Sequence, residues 1–283
     1  MNGKVFILQF PESCPIPKGG HKQMEFRKIF DTIPEKFDRW RPQYCEEAFA
    51  YLKSNTGLNE HKSLLEIGPG TGQATKPLLD TGCDYLAIEL GEHLAAFTAE
   101  KFKDYPNFHL VNDDFITHDF GNQKFDVVLS AATIQWIPEE IAYQKTYNLL
   151  KPGGTLAMML NYGDYKTPNE ALYQEIQEIY NSYFRPERPY TQKFDYLNAP
   201  SYGFTDVEKQ EFHSSREFTA EEYIEYLGTH CDHIEIDEPY RSKFFDGIKA
   251  AILKHQNRIE FQDTIILYLT QKISPEDSMN QYL

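Results

Sequence analysis

The chain has 283 residues, 41% hydrophobic and 25% charged, with a mean hydropathy of −0.58, a globular composition that excludes collagen-like and wholly disordered chains. Its 28 Lys and Arg against 43 Asp and Glu leave a formal charge of −15, which repels a phosphate backbone, so no nucleic-acid partner is expected. No apolar run approaches the ~20 residues of a membrane span, and Cys14, Cys45, Cys83 and Cys231 have no paired or metal-ligand spacing, so free thiols, no membrane contact and a cytoplasmic location are expected.

Residues 5–8 are apolar but too short for a secretory segment, and residues 11–23 carry three prolines and two glycines, which reads as an irregular arm. Pro42 suits the first turn of a helix that buries Cys45, Ala48, Phe49 and Leu52 and stops at Gly57. Residues 63–67 form a strand ending in Gly68-Pro69-Gly70-Thr71-Gly72, followed by a helix that closes at Thr81-Gly82. Strands follow at 85–88, 108–111 and 125–129, with Leu94, Phe97, Thr98 and Phe102 on the inner face of an intervening helix. Pro138 opens a helix with Ile141, Ala142 and Leu149 inward, and Lys151-Pro152-Gly153-Gly154 turns into a strand at 155–160. Strands alternating with helices predict a parallel sheet covered on both faces.

Beyond Tyr162 the pattern turns helical. Leu172, Ile176, Ile179 and Tyr183 form one stripe, residues 184–203 read as an irregular excursion, and Thr219-x-x-Glu222 is a capping box for a helix carrying Tyr223, Ile224 and Leu227. Phe244, Ile248 and Ile252 mark a last helix, residues 259–269 a closing strand, and a weakly patterned strand is expected near 206–212.

A strand that feeds a glycine-rich turn and then a helix gathers backbone N–H groups where polar ligand groups bind. The spacing here is G-x-G-x-G, not the G-x-G-x-x-G of dinucleotide sites, and Glu66 stands two positions before the first glycine, where it suits a cationic amino group better than a pyrophosphate. Glu89 lies 17 residues past Gly72 at a strand end, placed to accept both hydroxyls of a ribose.

These residues resemble the class I S-adenosylmethionine-dependent methyltransferases, specifically their small-molecule branch. The resemblance is carried by residues 65–72, by Glu89, by Asn112-Asp113-Asp114-Phe115, by residues 125–130 and by Lys151-Pro152-Gly153-Gly154. It implies a Rossmann-like core with a mostly parallel seven-stranded sheet, helices on both faces and a mostly helical lid. S-adenosyl-L-methionine would be the methyl donor and S-adenosyl-L-homocysteine the product. Carried over residue by residue, the cofactor contacts are Glu66, Gly68, Gly70, Thr71, Gly72 and Gln73 in the first motif. Glu89 and Leu90 follow at the ribose, Asp114 at the adenine amino group, Phe115 beside the ring, and Ser130 and Ala131 after the fourth strand. Residues 37–44 look like the first helix of this branch, with Arg41 and Tyr44 reaching the methionine end.

The resulting division is an N-terminal arm at 1–36, a cofactor-binding core at 37–162, helical lid insertions at 163–256 with a core strand near 204–212, a closing strand at 257–271 and a tail at 272–283. Tyr162, Tyr165, Tyr173, Tyr180, Tyr183, Phe184 and Tyr190 would give the lid an aromatic lining. Many relatives have a histidine where this chain has Gln135, and an amide orients but cannot act as a general base. His230 and His233 of the lid are the candidate bases; a metal site in His230-Cys231-Asp232-His233 lacks further ligands, and none is assigned. Neither histidine has a recognisable orienting partner, which favours an acceptor needing no base, such as a carboxylate or neutral amine. The expected activity is in-line methyl transfer to a small-molecule acceptor by a monomer or homodimer. Its rivals are a nicotinamide-dependent oxidoreductase and a non-catalytic cofactor-binding protein.

Overall fold

The computed structural model describes residues 26–187 and 194–274. Expectations placed on Cys14, on the segment 11–23 and on Tyr190 lie outside the described residues. A 3-10 helix, Phe26–Thr32, leads into α1 (Pro34–Trp40) and α2 (Glu46–Thr56). A residue before proline is pushed out of the α region, and Arg41, preceding Pro42, sits at φ −69° and ψ 142° and ends α1. The helix expected to open at Pro42 therefore begins only at Glu46, after an extended link, and residues 41–44 are not helical. Gly57 closes it in the left-handed region, at φ +58°.

Strands β1 (Ser63–Ile67), β2 (Asp84–Glu89), β3 (Phe108–Asn112), β4 (Phe125–Ala131) and β5 (Leu150–Asp164) come in sequence with α3 (Thr75–Leu79), α4 (Glu92–Lys101) and α5 (Glu139–Leu149). With β6 (Glu208–Phe218) and β7 (Ile259–Gln271) they form one seven-stranded sheet of order β3-β2-β1-β4-β5-β7-β6, in which only β7 runs against its neighbours β5 and β6. This is the expected mostly parallel, Rossmann-like sheet. Alternation along each strand feeds two cores. Leu65 and Ile67 join Ala142 and Tyr143 of α5 on one face, whereas Leu64 joins Phe49 and Leu52 of α2 on the other. Each such buried Leu or Ile contributes about 1.5–3 kcal/mol relative to exposure. Because the strand order reverses at β1, a crevice opens beyond the carboxyl ends of β1 and β4.

Three elements depart from expectation. Ile141 is 37% exposed, because the buried stripe of α5 is Ala142, Tyr143, Thr146 and Leu149. Strand β5 runs on to Asp164 because β7 pairs with it that far, Asp164 opposite Gln262. Strand β6 extends to Phe218, beyond the segment expected, and its pattern is weak because it is a sheet edge with mostly exposed side chains.

Beyond β5 come α6 (Glu170–Tyr183), α7 (Ala220–Leu227), α8 (Cys231–Ile234) and α9 (Tyr240–Lys254), of which α6, α7 and α9 share a third apolar cluster that includes Leu172, Ile176, Tyr223, Phe244 and Ile248. Phe218 and Phe261 join it from β6 and β7, which seats the helices at the carboxyl end of β5. The capping box is formed: Glu222 N donates to Thr219 Oγ1 (3.3 Å) and Thr219 N to Glu222 Oε2 (2.9 Å). Among the described residues no helix is long and apolar enough to cross a membrane.

Candidate active site

A cavity of about 480 Å³ lies between the carboxyl ends of the strands and the helices α6 to α8. Its floor is the turn after β1. Gly68 adopts φ +65°, and a Cβ there would stand 2.4 Å from Thr133 Cγ2, so only glycine lets the turn meet the segment after β4. Thr133 Oγ1 donates back to the Gly68 carbonyl at 3.0 Å. Gly72 serves packing instead, since a Cβ would meet Phe102 at 2.4 Å, and it does not line the cavity.

Three carboxylates follow one another across β1, β2 and the end of β3. Glu66 is fully buried; its Oε2 accepts from Thr75 Oγ1 (2.6 Å) and Tyr85 Oη (2.8 Å), while its Oε1 has no partner among the described residues. Burial pushes this carboxyl up to about 7. Glu89, 6% exposed, accepts from Gly70 N and Gly91 N, both at 3.0 Å, and burial likewise raises it to about 7. A carboxylate offers about four lone-pair sites, so roughly two remain for donors from a ligand. Asp114 is held below the usual carboxylate range, chiefly by Arg27, which donates to both of its oxygens.

Of the remaining cofactor candidates, Arg41, Tyr44, Gly68, Gly70, Gln73, Leu90, Phe115 and Ala131 line the cavity with the three carboxylates. Arg41 lies over the Phe37 ring, 5.4 Å from its centroid, and burial pushes the Tyr44 phenol well up, so it stays protonated. Thr71 and Ser130 do not line it. Thr71 Oγ1 accepts from Gln73 Nε2 at 2.7 Å, orienting the amide, and Ser130 is buried with no partner for its hydroxyl among the described residues.

The half of the cavity under the helices is aromatic. Tyr162, Tyr165 and Tyr180 line it; Tyr173, Tyr183 and Phe184 do not, and Tyr223, Tyr226 and Phe261, unassigned from the sequence, do. Arg216 of β6 also reaches it, donating to Asp263 (Nη2 to Oδ1, 2.8 Å) and lying over Tyr226, 5.0 Å from the ring centroid. Asn161 was missed too; its amide nitrogen and oxygen are both buried without partners among the described residues. A polar residue near the end of a buried strand was the available signal.

All three candidate catalytic residues line the same cavity. The Gln135 amide is committed: Nε2 donates to Ala132 O (3.0 Å) and Oε1 accepts from Tyr196 Oη (3.0 Å). His230 Nδ1 donates to Leu227 O at 3.1 Å, and burial, aided by Arg41, pushes the ring's pKa strongly down. His233 does have an orienting partner, contrary to expectation. Its Nδ1 lies 2.7 Å from Asp232 Oδ1, and its Nε2 lies 2.8 Å from Tyr180 Oη. Burial opposes the charge on Asp232, yet His233 holds that carboxyl below its ordinary value.

Residues 65–156 match a family model described as a methyltransferase domain. An uncharacterized methyltransferase of Schizosaccharomyces pombe is 21% identical over 253 residues, covering 87% of this chain and 98% of its own. A structure described as a type II methyltransferase of Anaeromyxobacter dehalogenans superposes with a TM-score of 0.60 at 15% identity, over 83% of this chain and 99% of that one. Phosphoethanolamine N-methyltransferase 2 of Haemonchus contortus, solved with phosphomonomethylethanolamine and S-adenosylhomocysteine, gives a TM-score of 0.54 at 16% identity; the match covers 89% of this chain and 61% of that one.

Proposed function

We propose that this chain, whose residues 65–156 match a methyltransferase domain and whose sheet is mostly parallel, is a class I S-adenosylmethionine-dependent methyltransferase that methylates a small-molecule acceptor held under helices α6 to α8. The observation that carries the reading is the row of Glu66, Glu89 and Asp114. Adjacent strands lie about 4.8 Å apart, so acids at the ends of β1, β2 and β3 match the ammonium, ribose and adenine ends of one extended ligand. The orphaned Glu66 Oε1 and the spare acceptor sites of Glu89 fit those donors.

S-adenosylmethionine supplies a methyl group already activated by positive sulfur. The protein's share is then to bind, align and exclude water, and alignment alone supplies roughly 7–11 kcal/mol. Arg41 and Tyr44 hold the methionine end, beside Glu66. Gln135, pinned by Tyr196, shapes the wall between the two halves of the cavity and moves no proton. Tyr165, Tyr223, Tyr226 and Phe261 favour a partly apolar acceptor, and the charge of −15 argues against a nucleic acid.

Calorimetry with S-adenosylmethionine, S-adenosylhomocysteine and NAD tests the cofactor assignment, with binding expected for the first two. Transfer of labelled methyl to a metabolite panel tests turnover. Binding of NAD alone, or binding of S-adenosylmethionine with no transfer to any acceptor, overturns the reading.

A further inference from the structure

The geometry points to Tyr180, His233 and Asp232 as a proton relay that deprotonates the acceptor, so that methyl transfer occurs at a protic hydroxyl or phenol and not at a carboxylate. This inference rests on the methyltransferase reading above and revises the base-free route expected from sequence.

Hydrogen-bond accounting orders the chain of donors. Asp232 Oδ1 only accepts when ionised, so the His233 nitrogen 2.7 Å away, Nδ1, carries the proton. His233 Nε2 is then a bare lone pair, and the Tyr180 hydroxyl at 2.8 Å must donate to it. Donating there leaves the Tyr180 oxygen to accept, and Tyr180 lines the cavity. A hydroxyl in the cavity that donates to Tyr180 therefore donates into a path that ends on His233. His233 and Asp232 are 4% and 8% exposed, so the developing imidazolium is stabilised by a carboxylate already buried beside it.

The neighbours of His233 are consistent with this direction. The His230 ring, 5.2 Å away, has its Nδ1 turned to Leu227 O and does not compete for Tyr180. From α9, Arg241 donates to the His233 carbonyl at 2.9 Å and Phe244 packs on the ring; Phe184, just past the end of α6, also packs on it. Arg41 bears on His230, and the phenols of Tyr165, Tyr223 and Tyr226 surround Tyr180. Burial pushes the Tyr180 phenol well above its ordinary value, so it passes its proton on only as it receives another. In the step, the acceptor oxygen bonds to the methyl carbon as the methyl–sulfur bond breaks and its electron pair stays on sulfur. The acceptor's proton moves to Tyr180 Oη while the Tyr180 proton moves to His233 Nε2. Tyr180 is the catalytic residue that touches the acceptor, and Asp232 is a positioning residue.

The test is transfer of labelled methyl from S-adenosylmethionine by the full chain to phenols, aliphatic alcohols, primary amines and carboxylic acids. Turnover of phenols or alcohols is expected, with kcat falling toward acid pH. Tyr180→Phe and His233→Gln should each lose ~100-fold or more in kcat at unchanged cofactor affinity, and Asp232→Asn should alter the acid limb. Alkali-labile methyl esters formed at a pH-independent rate, undiminished in Tyr180→Phe, would overturn the relay while leaving methyl transfer standing. Bound cofactor with no transfer to any acceptor overturns both. Nitrogen-15 NMR of the parent needs no variant: a proton on His233 Nδ1 is expected, and one on Nε2 sinks the ordering.

Discussion

Arg27 closes on Asp114 across 87 positions of chain, Nη1 to Oδ1 at 3.1 Å and Nη2 to Oδ2 at 2.7 Å. The arginine comes from the 3-10 helix that precedes α1, which also sets Phe26 and Phe30 edge-on against Trp136 at 5.6 and 5.7 Å. The Asp114 end of the cavity is thus roofed by a segment that sequence analysis assigned to an arm.

That contact has a titration signature. With Arg27 holding Asp114 below the usual range, its native pKa lies below the unfolded value of ~3.9. The stabilisation is present above the unfolded value and lost as pH falls through the native one. Arg27→Ala should raise the Asp114 midpoint and cost about 1 kcal/mol at pH 7, with the difference vanishing in strong acid. Carbon-13 titration of the carboxyl and denaturant unfolding at two pH values read both effects.

Glu66 and Glu89 behave in the opposite sense. Burial raises both to about 7, above the unfolded value, so their contribution to stability is full below ~4.3 and is lost as pH rises through 7. A bound ammonium and ribose hydroxyls favour the ionised forms. Cofactor binding at pH 7 should therefore release protons, about half a proton per carboxylate, and tighten as pH rises toward 8. Calorimetry in buffers of different ionisation heat measures the release, and Glu66→Gln should remove its share. A proton count of zero at pH 7 contradicts the assignment of both acids to the ligand.

Removing the Glu89 carboxylate, proposed above to meet the ribose, should weaken cofactor binding directly. Glu89→Ala deletes acceptors for two hydroxyls and also frees Gly70 N and Gly91 N, so a loss of about 1.5–3 kcal/mol in cofactor affinity is expected. Unchanged affinity in a folded variant rejects the ribose role.

The Gly68 contact predicts a paired effect on stability. Gly68→Ala introduces a side chain at φ +65° against Thr133, for a cost of about 1–2 kcal/mol from the backbone alone. The nearest atom is Thr133 Cγ2, so adding Thr133→Ser should recover part of the loss in the double variant. Equal stability of the single and double variants by denaturant unfolding would show that the close approach carries no energy.

What the sequence determined by itself is local. The period of two that puts Leu64 and Leu65 in different cores, the glycine turn after β1, the acids at strand ends and the Thr219 capping box all depend on neighbours a few positions apart, and short-range geometry specifies them. For the same reason the extent of β6 was poorly legible, since a solvated edge strand carries little alternation. Tertiary structure decided which polar groups distant in the chain meet. Tyr180 reaches His233 over 53 positions, Arg216 reaches Asp263 over 47, and Arg27 reaches Asp114 over 87. A buried polar group must find a partner wherever the fold delivers one, and that choice is made by packing in three dimensions, not by spacing along the chain.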